Sequence, residues 1–159
     1  MTAIVQIDLN ADVGEGVANE AALMPYLSSC NIACGGHAGD LETMTTVVKL
    51  AISNRVKIGA HPSFPDKANF GRLDMELSAA DLYTSLEQQI RTLQKVLHTE
   101  NAQLHHIKPH GALYNLVAKD EKTAKVLIEV IKRIAMPVKL YAPYDSVIAK
   151  LAIHENIEV

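Results

Sequence analysis

Short β-branched runs alternate with amphipathic helical patterns along almost the whole chain, and that alternation restricts it to parallel α/β architectures. Parallel strands cannot be joined by a tight turn, so each pair needs a helical crossover. The first strand is expected at Val5-Gln6-Ile7-Asp8-Leu9-Asn10 and the second at Ser29-Cys30-Asn31-Ile32-Ala33-Cys34. Asp40 is placed to cap a helix from Leu41 to Asn54, with Met44, Val47, Val48, Ala51 and Ile52 on its apolar face. Val56–Ala60 is a third strand. Ser78, with Asp81 three residues on, opens a long helix striped by Leu82, Leu86, Ile90, Leu93 and Leu97. A short strand follows over Leu104–Lys108, and then a helix capped by Asp120 that carries Leu127, Ile128, Ile131 and Ile134. Pro137–Tyr141 is a fifth strand, Asp145 opens a last helix, and Ile157-Glu158-Val159 reads as the start of a sixth strand.

Two parallel architectures remain, an open doubly wound sheet and a closed barrel. Gly14-Glu15-Gly16 lacks the third glycine of a dinucleotide fingerprint, and no P-loop occurs. A barrel or distorted barrel is therefore preferred. No internal repeat or linker divides the 159 residues, so one domain over 1–159 is expected. The chain stops where a sixth strand starts, and the expectation is a barrel cut short after five to six strands.

A net charge of −3 gives no electrostatic footprint for nucleic acid or an anionic membrane. No apolar run approaches the ~18 residues that span a bilayer, and the first residues do not read as a signal peptide. Cys30 and Cys34, the only cysteines, would lie roughly 13 Å apart along a strand, too far to bridge. They read as two buried thiols in a reducing, cytoplasmic compartment.

In parallel α/β folds, sites form at the carboxyl ends of the strands. The unusual polar residues of this chain collect there. Asp8 and Asn10 share a face of the first strand, and Asp12 follows in the loop. His37 lies just past the second strand, His61 follows the third, Lys108 ends the fourth, and His110 comes next. Prolines after His61 and Lys108 hold both in extended geometry. A lone histidine at a strand end is usually structural. Three at successive exits, beside glycines and an aspartate, favour a site. His98 and His154 fall on helices and read as solvated. Glu15 either caps its loop or acts as a base. Arg72 either binds phosphate or carboxylate or closes its own loop by a salt bridge. Tyr114 reads first as packing.

Ile7–Gly16, Leu23–Asp40, Ile58–Asp66 and Ile107–Asn115, with Phe70-Gly71-Arg72, closely resemble the LamB/YcsF family in order along the whole chain. The resemblance implies a distorted (β/α) barrel of the glycoside hydrolase/deacetylase type, here without the family's C-terminal part. It also implies ATP-dependent 5-oxoprolinase activity, which opens 5-oxo-L-proline to L-glutamate with ATP hydrolysis to ADP and phosphate. ATP, with Mg2+, and partner subunits B and C belong to that expectation, and self-association is left open. Gly36 stands where the family motif carries an aromatic residue, an exchange expected to enlarge the pocket or loosen His37.

On this reading Asp12, His61, Lys108 and His110 are the candidate catalytic residues, and Asp8, Asn10, His37, Arg72 and Tyr114 the candidate substrate-binding ones. Two other readings stand beside it. In one, Asp12, His37 and His61 hold a metal for a deacylase-like hydrolase. In the other, the shortened chain is a non-catalytic assembly module.

Overall fold

The computed structural model describes residues 7–159. Val5 and Gln6 of the expected opening strand lie outside the described residues. Among those described, the first strand starts later than its β-branched run suggests. β1 is Asn10–Val13, which puts Asp12 inside the strand rather than in the following loop. β2 (Ser29–Ala33), β3 (Lys57–His61), β4 (His106–Ile107) and β5 (Lys139–Leu140) follow. His61 is thus the last residue of its strand. β4 and β5 are shorter than expected because each pairs over only two residues. The expected sixth strand amounts to a single parallel bridge between Lys139 and Glu158.

All four pairings are parallel, and the spatial order β1-β2-β3-β4-β5 repeats the chain order. The reversal of order that defines a doubly wound sheet does not occur among the described residues. The helices are α1 (Glu20–Leu23), α2 (Leu41–Ser53), α3 (Ala79–Thr99), α4 (Gly111–Val117), α5 (Glu121–Ile134) and α6 (Val147–His154). Three start as their sequences predict. Asp40, Ser78 and Asp120 each accept the backbone N–H three residues on, at 2.8, 3.1 and 2.7 Å. The last helix starts one residue late: Asp145 turns with φ 57°, and Ser146 supplies the cap.

The helices bury the stripes expected of them, except that Ile52 on α2 is 42% exposed. The strands are two-faced. Val13, Cys30, Ile32, Ile58, Ala60, Ile107 and Leu140 belong to one apolar cluster with the buried faces of α2, α3 and α5. The opposite face is polar: Asn10 stands beside Ser29 and Lys57, and Asp12, Asn31, Gly59, His106 and Lys139 line up at one level. A strand alternates its side chains with period two, so this register alone separates a helix-packed core from a face that carries chemistry. Cys30 and Cys34 are both buried and free, and burial pushes each thiol up to about 12.

Candidate active site

The polar face ends in a cluster at the carboxyl end of the sheet. Asp12 and His61 come from β1 and β3 themselves. Glu15 and His37 come from the loops after β1 and β2, Lys108 follows β4, and His110 is the N-cap residue of α4. His37, His61 and His110 are 2%, 1% and 7% exposed, so their rings form a buried unit rather than three solvated side chains.

Main-chain carbonyls fix two of those rings. The Nδ1 of His61 lies 2.7 Å from the Lys108 carbonyl oxygen, and the Nε2 of His110 lies 2.9 Å from that of Phe70. A carbonyl oxygen only accepts, so these two nitrogens carry the protons. The remaining nitrogens, His61 Nε2 and His110 Nδ1, face each other at 3.0 Å. His37 stacks on His110 with ring centroids 3.6 Å apart and planes within 3°. Its Nε2 is 2.7 Å from Glu15 Oε1, while its Nδ1 is buried without a partner among the described residues. The same Glu15 oxygen lies 3.7 Å from His61 Nε2 and 3.4 Å from His110 Nδ1.

These contacts set the charges. Burial by itself raises the Glu15 pKa, but the His37 hydrogen bond and the electrostatic influence of the surrounding imidazoles bring it below the usual carboxylate value. Burial pushes His110 down to about 4. Burial opposes ionisation of Asp12 as well, yet His61, Lys108 and Asn31 together hold its carboxyl far below the usual range. Lys108 Nζ donates to Asp12 Oδ1 at 2.9 Å, Asn31 Nδ2 donates to the same oxygen at 2.7 Å, and His61 Nε2 stands 3.4 Å away.

Asp12, His61, Arg72, Lys108, His110 and Tyr114 share a cavity of about 560 Å³. Arg72 sits over the Phe70 ring at 5.5 Å and forms no salt bridge among the described residues, so the loop-closing ion pair is not its role here. Asn10 reaches the site indirectly, through paired amide contacts with Asn31 at 2.6 and 3.2 Å. Asp8 lies elsewhere. It accepts from Ser29 and faces Lys57 at 3.8 Å, both first residues of their strands, at the amino end of the sheet. A larger cavity of about 640 Å³ also opens at that end, beside Val56, Lys57, His105 and Lys139, away from the buried imidazoles.

Glu15 stands at the centre of the imidazoles, a role its sequence position leaves undecided. Asn31 and His106 carry no signal in the sequence at all. His106 on β4 reaches over β3 to Asn31 Oδ1 on β2 at 2.6 Å, because Gly59 between them has no side chain. Burial pushes His106 down to about 3. Gly36 does not border the cavity of Asp12, His61 and Lys108. A Cβ there would overlap the Gln89 amide and the Ser63 hydroxyl, and His37 beside it is held by its stack and by Glu15. Gly71, at φ 62°, backs the stack, and a Cβ there would come 2.9 Å from His37 Cβ. Among the described residues, the group able to hold a metal is Glu15, His37, His61 and His110, whose donor atoms lie within 4.8 Å of one another. It differs from the expected set, since Asp12 is engaged by Lys108.

A model of the LamB/YcsF family matches residues 7–159. Proteins named as the A component of 5-oxoprolinase, from Haemophilus influenzae strains PittEE and 86-028NP, are each 44% identical over 153 residues, covering 96% of this chain and 62% of theirs. The lactam utilization protein from Thermus thermophilus, known from a crystal structure, matches with a TM-score of 0.93 and 36% identity, over 98% of this chain and 65% of that one. The chain therefore spans less than two thirds of the length of the relatives it matches.

Proposed function

Because the chain belongs to the LamB/YcsF family, we propose that it serves as the A component of an ATP-dependent 5-oxoprolinase, with the strand-end cluster as its reaction centre. One observation carries this reading. In a chain 44% identical to proteins named as that component, Asp12, His61, Lys108 and His110 line one cavity sized for a small polar ligand. The sequential parallel sheet, polar on the face away from the helices, supports an arc of a distorted (β/α) barrel whose interior is that polar face.

The chemistry explains the need for ATP. An unstrained lactam is a poor electrophile. Transfer of the γ-phosphoryl group to its oxygen, with ADP leaving, produces an activated imidate. Water adds at the ring carbon and the C–N bond breaks with the electron pair going to nitrogen. A second water releases phosphate from the resulting acyl phosphate, leaving glutamate. Arg72 and Lys108 supply positive charge for a carboxylate or phosphate. His61 borders the cavity with its Nδ1–H tied to the Lys108 carbonyl, which suits its unprotonated Nε2 to take a proton from water when no cation holds that nitrogen. Asp12 orients Lys108, and Tyr114 closes the cavity wall.

With no P-loop in the sequence, ATP and its Mg2+ are assigned to a site completed by partner subunits B and C. A cytoplasmic reaction, where ATP is at hand, belongs to this reading. No helix among the described residues is long and apolar enough to cross a membrane. The test is release of glutamate from 5-oxoproline by this chain assembled with the B and C components. The reading expects release that requires ATP and all three components. Full activity of B and C without this chain contradicts it.

A further inference from the structure

The facing nitrogens of His61 and His110 pose a problem the proposed reaction does not answer. Both rings spend their one proton on a main-chain carbonyl, so two lone pairs point at each other across 3.0 Å. Buried lone pairs at that distance repel unless a cation lies between or beside them. Glu15 adds a carboxylate oxygen to the same point, 3.4 Å from His110 Nδ1 and 3.7 Å from His61 Nε2. Bonds of about 2.0–2.1 Å in a tetrahedral centre set neighbouring donors about 3.3–3.4 Å apart. The three observed separations bracket that value.

We infer that Glu15 Oε1, His61 Nε2 and His110 Nδ1 bind one divalent transition-metal ion of the zinc class, with a fourth position open towards the cavity of Asp12 and Lys108. The carbonyls of Lys108 and Phe70 are the outer partners that hold each imidazole in its metal-binding tautomer. His37 belongs outside the ion's first ring of donors. An imidazole binds a metal in its own plane, and His37 lies parallel to His110, so an ion in the plane of His110 is out of the plane of His37. Its place is to donate from Nε2 to Glu15 and fix that carboxylate. The open position follows from the lining of the cavity, where His61 and His110 border the same space as Asp12 and Lys108. Three protein donors and one open position are the pattern of a reactive rather than a structural centre. The assignment rests on donor geometry and stands independently of the 5-oxoprolinase reading.

The test uses the purified chain stripped with chelator and titrated with Co2+, whose visible absorption reports low-symmetry binding, followed by displacement with Zn2+. The wild type should bind one equivalent. His61→Ala and His110→Ala should lose the band, while His37→Ala should keep it with affinity lowered roughly 10–100-fold, as expected for an outer partner. Absence of binding by the wild type, or an unchanged band in His61→Ala and His110→Ala, overturns the site. Because those variants remove buried rings, a second measurement uses the wild type alone. In imidazole 15N NMR, Zn2+ should shift His61 Nε2 and His110 Nδ1. A proton shared between the two rings that persists in excess Zn2+ means that a proton, not a metal, answers the paired lone pairs, and this also overturns the site. Metal binding without glutamate release would reject the 5-oxoprolinase reading and leave this site standing, and the converse would reject the site alone.

Discussion

Lys108 and Asp12, 96 residues apart in the chain, meet through a 2.9 Å contact that ties the exit of β4 to β1 across β2 and β3. The same Asp12 oxygen accepts from Asn31 and faces His61, so the pair joins the polar face of the sheet to the imidazole cluster. Both side chains retain solvent contact, at 25% and 34% exposure. A double-mutant cycle with Lys108→Met and Asp12→Asn, followed by urea denaturation, should give a coupling of about 0.5–1 kcal/mol. Strict additivity would mean that the pair is not formed in solution.

Gly59 is the position over which His106 crosses to Asn31. Gly59→Ala should force the imidazole aside and cost about 1–3 kcal/mol, read as a lower denaturation midpoint. An unchanged midpoint would show that the ring does not lie there.

His106 also gives the fold an acid limit. Its pKa is about 3 in the fold, against an ordinary value of 6.5, because burial disfavours the charged ring. Between those values the unfolded chain binds more protons than the native one. The stability held above pH 6.5 should therefore fall as the pH drops towards 3. Thermal melts across that range should show a declining Tm, and His106→Gln, which keeps a donor for Asn31 but does not titrate, should flatten the decline. An equally steep curve in the variant would put the effect elsewhere.

Gln89 braces the loop after β3. Its amide accepts from the Ser63 N–H at 3.0 Å and donates to the Ser63 carbonyl at 2.9 Å, inside the α3 face. Gln89→Leu leaves both backbone groups buried and unpaired, so a loss of about 1–3 kcal/mol is expected in urea titration. Unaltered stability would indicate that water or another residue takes over.

Much of this is legible in the sequence. Helix starts at Asp40, Ser78 and Asp120 follow from side chains that locally satisfy free N–H groups, a property of three or four neighbouring residues. The strand-exit positions of His37, His61, Lys108 and His110 follow from the alternation itself, and the structure brings all four to one end of the sheet. The parts that escape a reading of the sequence depend on register between distant strands. Asp8 and Asp12 both read as site residues in the sequence, yet four residues of chain carry them to opposite ends of the polar face, Asp8 beside Lys57 and Asp12 beside Lys108. His106 gains its partner only because β2, β3 and β4 align Asn31, Gly59 and His106 at one level. The short helices α1 and α4 carry too few turns for a periodic signal, and α4 opens on a glycine. Glu15 follows a strand that runs past its β-branched stretch, so its reach to three histidines has no local signal.

Whether the strand-end cluster does the chemistry is tested most directly by initial-rate kinetics of the assembled enzyme. ATP-coupled glutamate release should fall by about 10²–10⁴-fold in His61→Ala, and comparably in Lys108→Ala. His154→Ala, on the exposed face of α6, should turn over like wild type. Wild-type rates in a folded His61→Ala or Lys108→Ala chain would contradict that role.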